Sequence, residues 1–530
     1  MTHDVVVVGS GAAGLRAAIA AAEAGAKVCV VTKGSLLYSG ASASANFSYC
    51  AGFGYFGAGD TAEAYAADIV ASGQGLADPV LALRLAEEAG READTVEGWG
   101  CAWRRGPDGR HQTATFAGHS VHRAIHVGLR TGKVLMVALG RRAKTLGVEV
   151  RDHSLVLEIL KAEGAVNGLL LLDLRQGALS VLPAKTVVLA AGGNIAMYAQ
   201  HSNPDELTGD GQALAHAAGA TLIDLEFIQS YPTVLISPPA ARGLHYPTGR
   251  LLGFGARLLN GKREEFFHNY DSLPIQRATR DALSRAIVLE AAAGRGSPNG
   301  GAFIDASAVA PETLRDVHFE GYFRDLQVDV GHDLAEIAPT PHFTLGGARI
   351  DRDGRTDLPG LFAAGEVAGG LHGANRLTGV ALPDALVFGA AAGRAAAAAA
   401  RPVPQPVLAD SPWAAAALRP ATPGAPHVGE AAAALREAMQ AGAGVLKTAD
   451  GLTETLHRLD AVEAMLPHLA SRQPGLRLNW ELARILELRH MLTAARLHAR
   501  AALARSESRG AHLRLDFPRE DPAWCRHQYA

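Results

Sequence analysis

The sequence predicts an α/β fold: a Rossmann-like nucleotide-binding domain, an inserted α+β capping domain and a helical C-terminal domain. Three observations predict it. The stretch DVVVVGSGAAGLRAAIAAAEAGAKVCVVTKG reads as a β-branched strand, a glycine turn, an alanine-rich helix and a second strand, which is one βαβ unit. Two further buried-strand patterns lie far downstream, KTVVLAAGG at Lys185–Gly193 and GLFAAGEVAGG at Gly360–Gly370. Apolar residues at helical spacing fill Glu430–Ala504.

The separation of these strand patterns predicts a nucleotide domain assembled from discontinuous segments. We expect it to comprise residues 1–220 and 345–400, with residues 221–344 inserted as a capping domain that contacts the substrate. The proline cluster Pro402–Pro406 reads as a linker. The helical C-terminal domain is then expected over residues 410–530.

Composition excludes several classes of protein. The chain has 530 residues, with 50 Lys and Arg against 53 Asp and Glu, a net charge of −3. The basic residues form no run, which argues against nucleic acid as a partner. The apolar-looking tract Gly389–Ala400 is short, rich in alanine and interrupted by Arg394, so we expect no membrane span. The first residues enter a strand without a signal-peptide pattern, and a cytoplasmic location is expected.

The cysteines offer no metal or cluster site. They show neither a CxxC pair nor ligand spacing, so free thiols are expected and no iron–sulfur cluster or zinc site is predicted. Any one-electron relay would have to belong to a separate protein. The four cysteines are Cys29, Cys50, Cys101 and Cys525.

A glycine motif indicates dinucleotide binding. Gly9, Gly11 and Gly14 form G-x-G-x-x-G directly after a strand and at the start of a helix. The first glycine permits a tight turn, the second lets the backbone approach a pyrophosphate, and the third allows close helix packing. A glycine turn with a structural role only is the alternative.

The nucleotide does not look like NAD. An acid is expected about 20 residues after the glycines to bind ribose hydroxyls, but the second strand ends in Thr32 and Lys33. Glu366, in the later AAGE segment, is the acid that we expect to bond a ribose or ribityl hydroxyl.

Two polar patterns raise a question of ligand. GHSVHRAIHVGLRTG brings His119, His122 and His126 towards one helix face, but no acid or cysteine completes a metal site, and a polar lining is the favoured interpretation. Arg376 lies in GEVAGGLHGANRLTG among glycines and alanines. A guanidinium there suits a bidentate carboxylate clamp, and an internal ion pair is the alternative.

Ten ordered motifs give the chain a family resemblance. The sequence resembles the FAD-dependent flavoprotein subunits of fumarate reductase and succinate dehydrogenase, together with L-aspartate oxidase, over nearly its whole length. Besides the glycine motif, the matching stretches are VVTKGSLLYSGASAS, GHSVHRAIHVGLRTG, VVLAAGG, NPDELTGDGQALAHAAGA, LEFIQSYPT, RDALSRAI, HFTLGG, GLFAAGEVAGGLHGANRLTG and ESRGAHLRLDFP.

The resemblance implies FAD as the cofactor. Some members attach the flavin through a histidine, but LLYSGASASAN contains none, so a non-covalent FAD is predicted. The cofactor-binding residues that the motifs imply are Gly9, Gly11, Ala12, Gly14, Thr32, Lys33, Ser39, Gly40, Ser42, Ala191, Gly192, Asp210, Gly365, Glu366 and Leu382. The resemblance also assigns carboxylate binding to Arg376 and His342.

The chain departs from the family at three positions. The family's HPT histidine is Tyr231 here, and L-aspartate oxidase's glutamate before GGHS is Phe116. The family's RGEGG motif, whose arginine is expected to move a proton, corresponds to LGFGARLLN, with Leu252 and Phe254 at the two charged positions. A shifted register would leave Arg250 or Arg257 as the substitute arginine.

These departures predict an FAD-dependent oxidoreductase that transfers hydride between the flavin and a small carboxylate other than succinate, fumarate or aspartate. His342, Arg376 and Tyr231 are the predicted catalytic residues, with Tyr231 moving the proton if nearby cations lower its pKa. The predicted substrate pocket comprises Phe116, His119, Leu252, Phe254 and His372.

Other functions stay open. The chain can be an electron-transfer subunit that works with a separate iron–sulfur protein, or an L-aspartate oxidase or fumarate reductase with a rearranged acid–base residue. Oxygen can replace the protein electron acceptor. A flavin-binding protein without catalysis is the remaining alternative.

Overall fold

The structure is a computed structural model. It describes residues 2–46, 48–55, 57–114, 116–128, 130–246, 248–316, 328–329, 332–406, 411–419 and 424–530, without the side chains of residues 58, 248–250, 315 and 316. The strands, in chain order, are β1 His3–Val8, β2 Val28–Val31, β3 Tyr49–Cys50, β4 Ala124–Ile125, β5 Glu149–Arg151, β6 Ser154–Ala162, β7 Ala165–Asp173, β8 Ala178–Leu189, β9 Leu222–Ile223, β10 Ile228–Leu235, β11 Arg257–Leu259, β12 Ala302–Asp305, β13 Ala335–Thr344, β14 Gly347–Arg349, β15 Leu361–Ala363, β16 Ala368–Gly369, β17 Leu446–Lys447 and β18 Leu513–Arg514.

The helices connect these strands and form most of the C-terminal region. In chain order they are Ala12–Glu23, Ala41–Ser44, Ala62–Ser72, Pro79–Gly98, Thr131–Thr145, Asp210–Ala218, Thr248–Gly253, Arg280–Glu290, Pro311–Asp316, Ala381–Ala399, Pro412–Ala417, Val428–Gly442, Ala449–Met465 and Trp480–Ala504. Within the described ranges, no helix is both long and apolar enough to cross a membrane.

The largest sheet has seven strands in the order β5-β2-β1-β8-β7-β6, with β15 also paired to β8. Strands β2, β1, β8 and β15 run parallel, as Val7 pairs with both Val30 and Val188. Their valine-rich runs are buried on both faces, which is the pattern of a parallel sheet covered by helices. The two downstream strand patterns therefore join the N-terminal βαβ unit, as predicted.

Two alanine-rich helices cover one face of this sheet in close contact. Ala12–Glu23 follows β1, and Ala381–Ala399 packs directly on it. A Cβ atom added at Gly393 would lie 2.1 Å from the Ala17 carbonyl oxygen, so only glycine lets the two backbones approach this closely. This contact fixes the start of the first helix beneath the glycine motif.

A second, antiparallel sheet has the order β10-β13-β12-β11 and lies within residues 228–344. Its core is built by buried residues that include Leu251, Leu283, Ile287 and Ile304. The helix Arg280–Glu290 packs against β10 and β13. The strands and helix of this segment fit the α+β class predicted for residues 221–344, while the domain limits themselves stay a prediction.

The C-terminal helices pack together and against the nucleotide domain. Val428–Gly442, Ala449–Met465 and Trp480–Ala504 share one core that includes Leu435, Leu459 and Leu492. The last helix also reaches the nucleotide domain through polar contacts, because His490 Nδ1 lies 3.1 Å from a carboxylate oxygen of Asp210.

Candidate active site

One large cavity lies where the parallel strands of the main sheet end. Its volume is about 1160 Å³, which is above the range of about 300–1,000 Å³ usual for small-molecule sites. The residues that follow β1, β2, β8 and β15 line one part, and residues of β10, β13 and the helix Arg280–Glu290 line the other. Ligands of open α/β sheets bind at this edge of the sheet.

The glycine motif forms one wall of the cavity. Gly9 has φ +105°, and an added Cβ would lie 2.2 Å from the Ala190 carbonyl oxygen. Gly11 caps the first helix, and the next backbone amide, that of Ala12, donates to Ser42 Oγ at 3.0 Å. A helix N-terminus that lines the cavity suits a pyrophosphate, so this end of the cavity fits a dinucleotide.

Lys33 is held by acids rather than left free for a phosphate. Its Nζ lies 2.7 Å from Asp210 Oδ2 and 2.8 Å from Glu487 Oε1, and it donates to Thr208 Oγ1 at 2.6 Å. Burial alone would lower the pKa of Lys33, but the two carboxylates outweigh it and raise the pKa. Lys33 therefore stays charged and fixes the position of Asp210 at the cavity wall.

Glu366 is a buried acid on the cavity wall. Its Oε1 accepts a hydrogen bond from the Thr344 backbone amide at 3.0 Å. Burial raises its pKa to about 7, although Arg376 partly opposes the shift. A carboxyl group that is partly protonated near neutral pH can exchange hydrogen bonds with a hydroxyl, which is the role predicted for it.

The structure brings most predicted cofactor residues to this cavity. Gly14 is the exception: it packs below the glycine turn, where an added Cβ would lie 2.0 Å from the Gly9 carbonyl oxygen. The residues that line the cavity are Gly9, Gly11, Ala12, Thr32, Lys33, Ser39, Gly40, Ser42, Ala191, Gly192, Asp210, Gly365, Glu366 and Leu382.

Arg376 is a buried cation at the other part of the cavity. Its side chain lies over the Phe343 ring, 4.2 Å from the centroid, and within the described chain no carboxylate oxygen lies within 4.0 Å of the guanidinium. Burial lowers its pKa to about 9, with a further contribution from Arg280. An enclosed guanidinium without an acid partner is costly unless an anionic ligand binds it.

Backbone contacts hold the loop that carries Arg376. Gln229 Nε2 donates to the Arg376 carbonyl oxygen at 2.8 Å, and His119 Nε2 lies 2.8 Å from the Thr378 carbonyl oxygen. His119 also lines the cavity, and its role in a substrate pocket stays a prediction. Among the described residues, His119, His122 and His126 do not converge on a common metal position.

His342 lines the cavity near Arg376 and is neutral. Its Nδ1 lies 2.9 Å from Ser202 Oγ, which leaves Nε2 for a ligand. Burial lowers its pKa well below the usual value, and Arg280, His245 and Arg376 add to the shift. A neutral imidazole can still donate one hydrogen bond, so His342 can assist Arg376 at a carboxylate.

Arg280 lines the cavity, although no role was predicted for it from the sequence. It lies in the motif RDALSRAI. It begins the helix Arg280–Glu290, and its NH1 donates to Gln229 Oε1 at 3.3 Å. No described carboxylate pairs with it, and burial lowers its pKa. A cation at a helix N-terminus is unfavourable because it opposes the helix dipole. This unfavourable position was the sequence signal that Arg280 has a role other than stabilising its helix.

Tyr231 lies in the predicted pocket, but its environment differs from the one predicted. Its hydroxyl donates to the Tyr246 carbonyl oxygen at 3.4 Å, and its ring stacks on His245. Burial raises the pKa of Tyr231, and Arg280 offsets this only in part. The prediction that nearby cations lower the pKa of Tyr231 is therefore wrong, because desolvation outweighs the effect of Arg280.

The remaining pocket residues are mostly apolar. Phe116, Leu252 and Phe254 line the cavity, with Leu252 buried and Phe254 52% exposed. His372 is placed elsewhere: it is buried behind the cavity wall, with its ring against Phe343 and Nε2 3.4 Å from Asp384 Oδ2. It lies four residues before Arg376, and both side chains contact the Phe343 ring, but only Arg376 lines the cavity.

Of the two substitute arginines, Arg257 does not supply a pocket cation. Arg257 points outward and pairs with Asp305 Oδ2 at 2.5 Å, outside the cavity. The side chain of Arg250 lies outside the described parts of the structure. The described arginines that line the cavity are Arg277, Arg280 and Arg376.

Comparisons with known proteins identify the family of the chain. Residues 4–382 match the family described as FAD binding domain, and residues 432–530 match the family described as fumarate reductase flavoprotein C-term. The chain is 35% identical to one chain of the fumarate reductase (CoM/CoB) of Methanothermobacter marburgensis, over 99% of this chain and 96% of that protein. It is 36% identical to L-aspartate oxidase of Caulobacter vibrioides, over 98% and 94%.

The fold indicates the same family relationship. A variant of the E. coli quinol fumarate reductase FrdA superposes with a TM-score of 0.91 at 28% identity, covering 100% of this chain and 94% of that one. The family matches extend over both the cavity-forming region and the C-terminal helices. The chain therefore belongs to the fumarate reductase and L-aspartate oxidase family of flavoproteins and is an FAD-dependent oxidoreductase.

Proposed function

We propose that the protein transfers hydride between FAD and a small carboxylate, and that succinate, fumarate and L-aspartate are not its preferred substrates. One observation carries the proposal. Arg376 and Arg280 both line the cavity, and neither has a carboxylate partner among the described residues. Two such cations next to a dinucleotide cradle favour an anionic substrate held against the flavin.

In this proposal Arg376 and His342 hold the substrate carboxylate. The guanidinium offers two parallel donors, a geometry that matches a carboxylate. Ser202 Oγ can donate its hydrogen to His342 Nδ1, which leaves a hydrogen on Nε2 for the same carboxylate. Because the imidazole is neutral, it orients the substrate without adding a second desolvated charge.

Bound FAD supplies the centre that accepts or donates the hydride. Oxidation of the substrate removes a hydride from one carbon and a proton from the neighbouring carbon, and reduction returns both. Arg280 is the group that we assign to the proton. Burial lowers its pKa, which favours release of its proton, and its guanidinium lies over the Tyr231 ring at the cavity. Tyr231 is retained as a neutral hydrogen-bond donor.

The rest of the pocket favours a substrate with a single carboxylate. Phe116, Tyr231, Leu252 and Phe254 replace charged or basic positions that the family resemblance implies, and all four line the cavity. A second carboxylate placed against Phe116, Leu252 or Phe254 would lose hydration without gaining a charged partner from these three side chains. A substrate with an uncharged remainder avoids this cost.

Arg280 also supports a second candidate. A fumarate reductase or L-aspartate oxidase with a rearranged acid–base residue would need a pocket arginine from outside the LGFGARLLN segment, and Arg280 meets that need. Such an enzyme would use Arg280 for a dicarboxylate. Electron transfer to a separate iron–sulfur protein, or to oxygen, is compatible with either candidate.

The test is an anaerobic titration of the oxidised holoenzyme. Flavin absorbance is followed as succinate, L-aspartate and saturated monocarboxylates with hydroxy, amino or acyl groups are added, and the reduced enzyme is mixed with fumarate and unsaturated monocarboxylates. We expect monocarboxylates to react and the dicarboxylates to react at least about tenfold more slowly. Equal or faster reaction with succinate, fumarate or aspartate would overturn the proposed preference in favour of the second candidate.

The electron acceptor is tested in the same preparation. The reduced flavin is exposed to oxygen, and its reoxidation is timed against substrate turnover. Reoxidation as fast as turnover supports an oxidase, whereas much slower reoxidation supports a protein acceptor, which co-purification from the native cell can identify.

A further inference from the structure

Gln229 is a buried side chain of β10 that contacts both Arg280 and Arg376. Its side-chain oxygen Oε1 accepts a hydrogen bond from Arg280 NH1 at 3.3 Å. Its side-chain nitrogen Nε2 donates to the Arg376 carbonyl oxygen at 2.8 Å and to Asn375 Oδ1 at 2.8 Å. Gln229 is fully enclosed by protein and does not line the cavity. Any effect of Gln229 on a bound ligand must therefore pass through its neighbours.

The orientation of the Gln229 amide follows from the chemistry of its partners. A guanidinium carries donors only, so the atom that faces Arg280 is the acceptor Oε1. A backbone carbonyl accepts only, so the atom that faces the Arg376 carbonyl oxygen is the nitrogen Nε2. The two requirements agree, and both hydrogens of Nε2 are used, one by Arg376 and one by Asn375. A buried amide whose polar atoms are all bonded is held in one position.

A second amide joins the same two segments. Asn375 precedes Arg376 in the chain, and its Nδ2 donates to Asp281 Oδ1 at 2.9 Å. Asp281 in turn follows Arg280 at the start of its helix. The loop that carries the carboxylate clamp and the helix that carries Arg280 are therefore connected twice, once through Gln229 and once through Asn375 and Asp281.

Gln229 matters because the two guanidinium groups have few other partners. Within the described chain, Gln229 Oε1 is the hydrogen-bond acceptor of Arg280, and Arg376 Nε has no hydrogen-bond partner. The Tyr231 and Phe343 rings support the flat faces of the two groups, but a ring contact is less directional than a hydrogen bond. The directional contacts of Gln229 therefore relate the two groups to each other.

We propose, resting on the proposed function, that Gln229 is a positioning residue that fixes the separation between the carboxylate clamp and the proton-transfer arginine. In the proposed reaction Arg376 binds the carboxylate, while Arg280 exchanges a proton with a carbon of the same molecule. Both groups reach one small substrate only when their separation matches it. An error of about 1 Å in such a geometry lowers a rate by about 10²-fold.

The first test replaces the amide by an apolar side chain of similar length. Gln229→Met loses both sets of hydrogen bonds. Gln212→Met is the matched control, because Gln212 is equally buried, has no described hydrogen-bond partner and does not line the cavity. Crystal structures of the holoenzymes give the distance between the Cζ atoms of Arg280 and Arg376. We expect this distance to change by about 1 Å in Gln229→Met and by less than about 0.5 Å in the control.

Two solution measurements use the same proteins. Binding of crotonate, a monocarboxylate, to the oxidised holoenzyme is measured from the change in the flavin spectrum. The limiting rate of flavin reduction is measured by anaerobic stopped flow with the monocarboxylate that reduces the wild type fastest. We expect Gln229→Met to weaken binding about threefold to tenfold and to lower the limiting rate at least about tenfold. A side chain that only stabilises the fold would leave the limiting rate of the intact holoenzyme unchanged, as expected for Gln212→Met.

A charged variant tests the contact with Arg280 separately. Gln229→Glu keeps an acceptor for Arg280 but adds a negative charge beside it, which raises the pKa of the guanidinium by about one to three units. A smaller fraction of Arg280 is then free to accept a proton at a given pH. The rise of the limiting rate with pH should therefore move to higher pH by about the same amount. Coinciding pH profiles in wild type and Gln229→Glu would overturn the proposed contact.

The outcomes separate the two proposals. If no carboxylate binds to the wild-type holoenzyme or reduces its flavin, the proposed function fails. If carboxylates react but Gln229→Met changes neither the distance between the guanidinium groups nor the limiting rate, only the role of Gln229 is overturned. The flavin spectrum and melting temperature show whether each holoenzyme is intact. If Gln229→Met does not fold, Gln229→Glu supplies the same comparison, because it also loses the donation to Arg376.

Discussion

The guanidinium of Arg280 lies over the ring of Tyr231, 4.9 Å from its centroid. Arg280 and Tyr231, the two candidates for the proton transfer, are therefore in direct contact, and each alters the other's titration. Arg280 lowers the pKa of the phenol, although burial raises it more. The same burial lowers the pKa of the guanidinium. Desolvation thus favours Arg280 as the group that gives up a proton and Tyr231 as the group that keeps one.

This contact predicts unequal effects of substitution. Arg280→Gln should lower the rate of flavin reduction by about 10²–10⁴-fold, the usual contribution of a positioned acid or base. Tyr231→Phe should cost less than about tenfold, because Arg280 is still present. Both rates are measured by anaerobic stopped flow with a substrate that reduces the wild-type enzyme. A larger loss of rate in Tyr231→Phe than in Arg280→Gln would assign the proton transfer to the Tyr231 hydroxyl instead.

Arg376 should control substrate binding. Arg376→Gln removes a charge-assisted pair, and we expect the dissociation constant for a carboxylate to rise about 10–100-fold, in line with about 1.5–3 kcal/mol for such bonds. Arg257→Gln is the matched control, since that arginine pairs with Asp305 outside the cavity. Flavin difference spectra report both. Equal affinity in wild type and Arg376→Gln would remove the clamp from the mechanism.

Glu366 should make stability depend on pH in the flavin-free protein. Burial raises its pKa from 4.5 to about 7, so between these values the folded state holds a proton that the unfolded state has lost. This contribution is present below pH 4.5 and is lost as the pH rises to 7. Relative to Glu366→Gln, the wild type should lose up to about 3 kcal/mol of unfolding free energy over that interval.

Urea denaturation of wild type and variant at pH 4.5, 5.5, 6.5 and 7.5 measures this difference. Other groups titrate in both proteins, so only the gap between the two curves concerns Glu366. A gap that does not change with pH would contradict the raised pKa.

The flavin should be removable without breaking a covalent bond. The segment Ser39–Asn46, which borders the cavity, contains no histidine. Acid precipitation followed by filtration should therefore release all FAD into the filtrate. Yellow colour that stays with the precipitated chain would show a covalent link, and peptide mapping would then test His119 and His122, which also line the cavity.

The sequence predicted the parts of the site that depend on local chain geometry. The glycine motif acts through its own turn and the helix that follows, so its position could be read directly. The strand β15 and the C-terminal end of β8, Val187–Leu189, were equally clear, because their residues are buried and apolar.

The parts of the site that the sequence did not predict depend on contacts between distant segments. Arg280 reaches the cavity because the second sheet places its helix opposite the glycine motif. Its position at a helix N-terminus indicates a role, but it does not indicate which cavity the side chain reaches. His372 shows the reverse case: it lies four residues before Arg376 in sequence but does not line the cavity. Gly373, with φ +55°, turns the chain between the two residues. The pKa of Tyr231 could not be foreseen either, because it is set by burial.

The contact of Lys33 with Glu487 joins the end of β2 to the helix Trp480–Ala504 beneath the flavin site. Asp210, which borders the cavity, is bound from one side by Lys33 and from the other by His490 of the same helix. Cofactor occupancy and docking of the C-terminal helix are therefore thermodynamically linked: each should strengthen the other, and a chain shortened before Trp480 should lose flavin affinity although its glycine motif is intact.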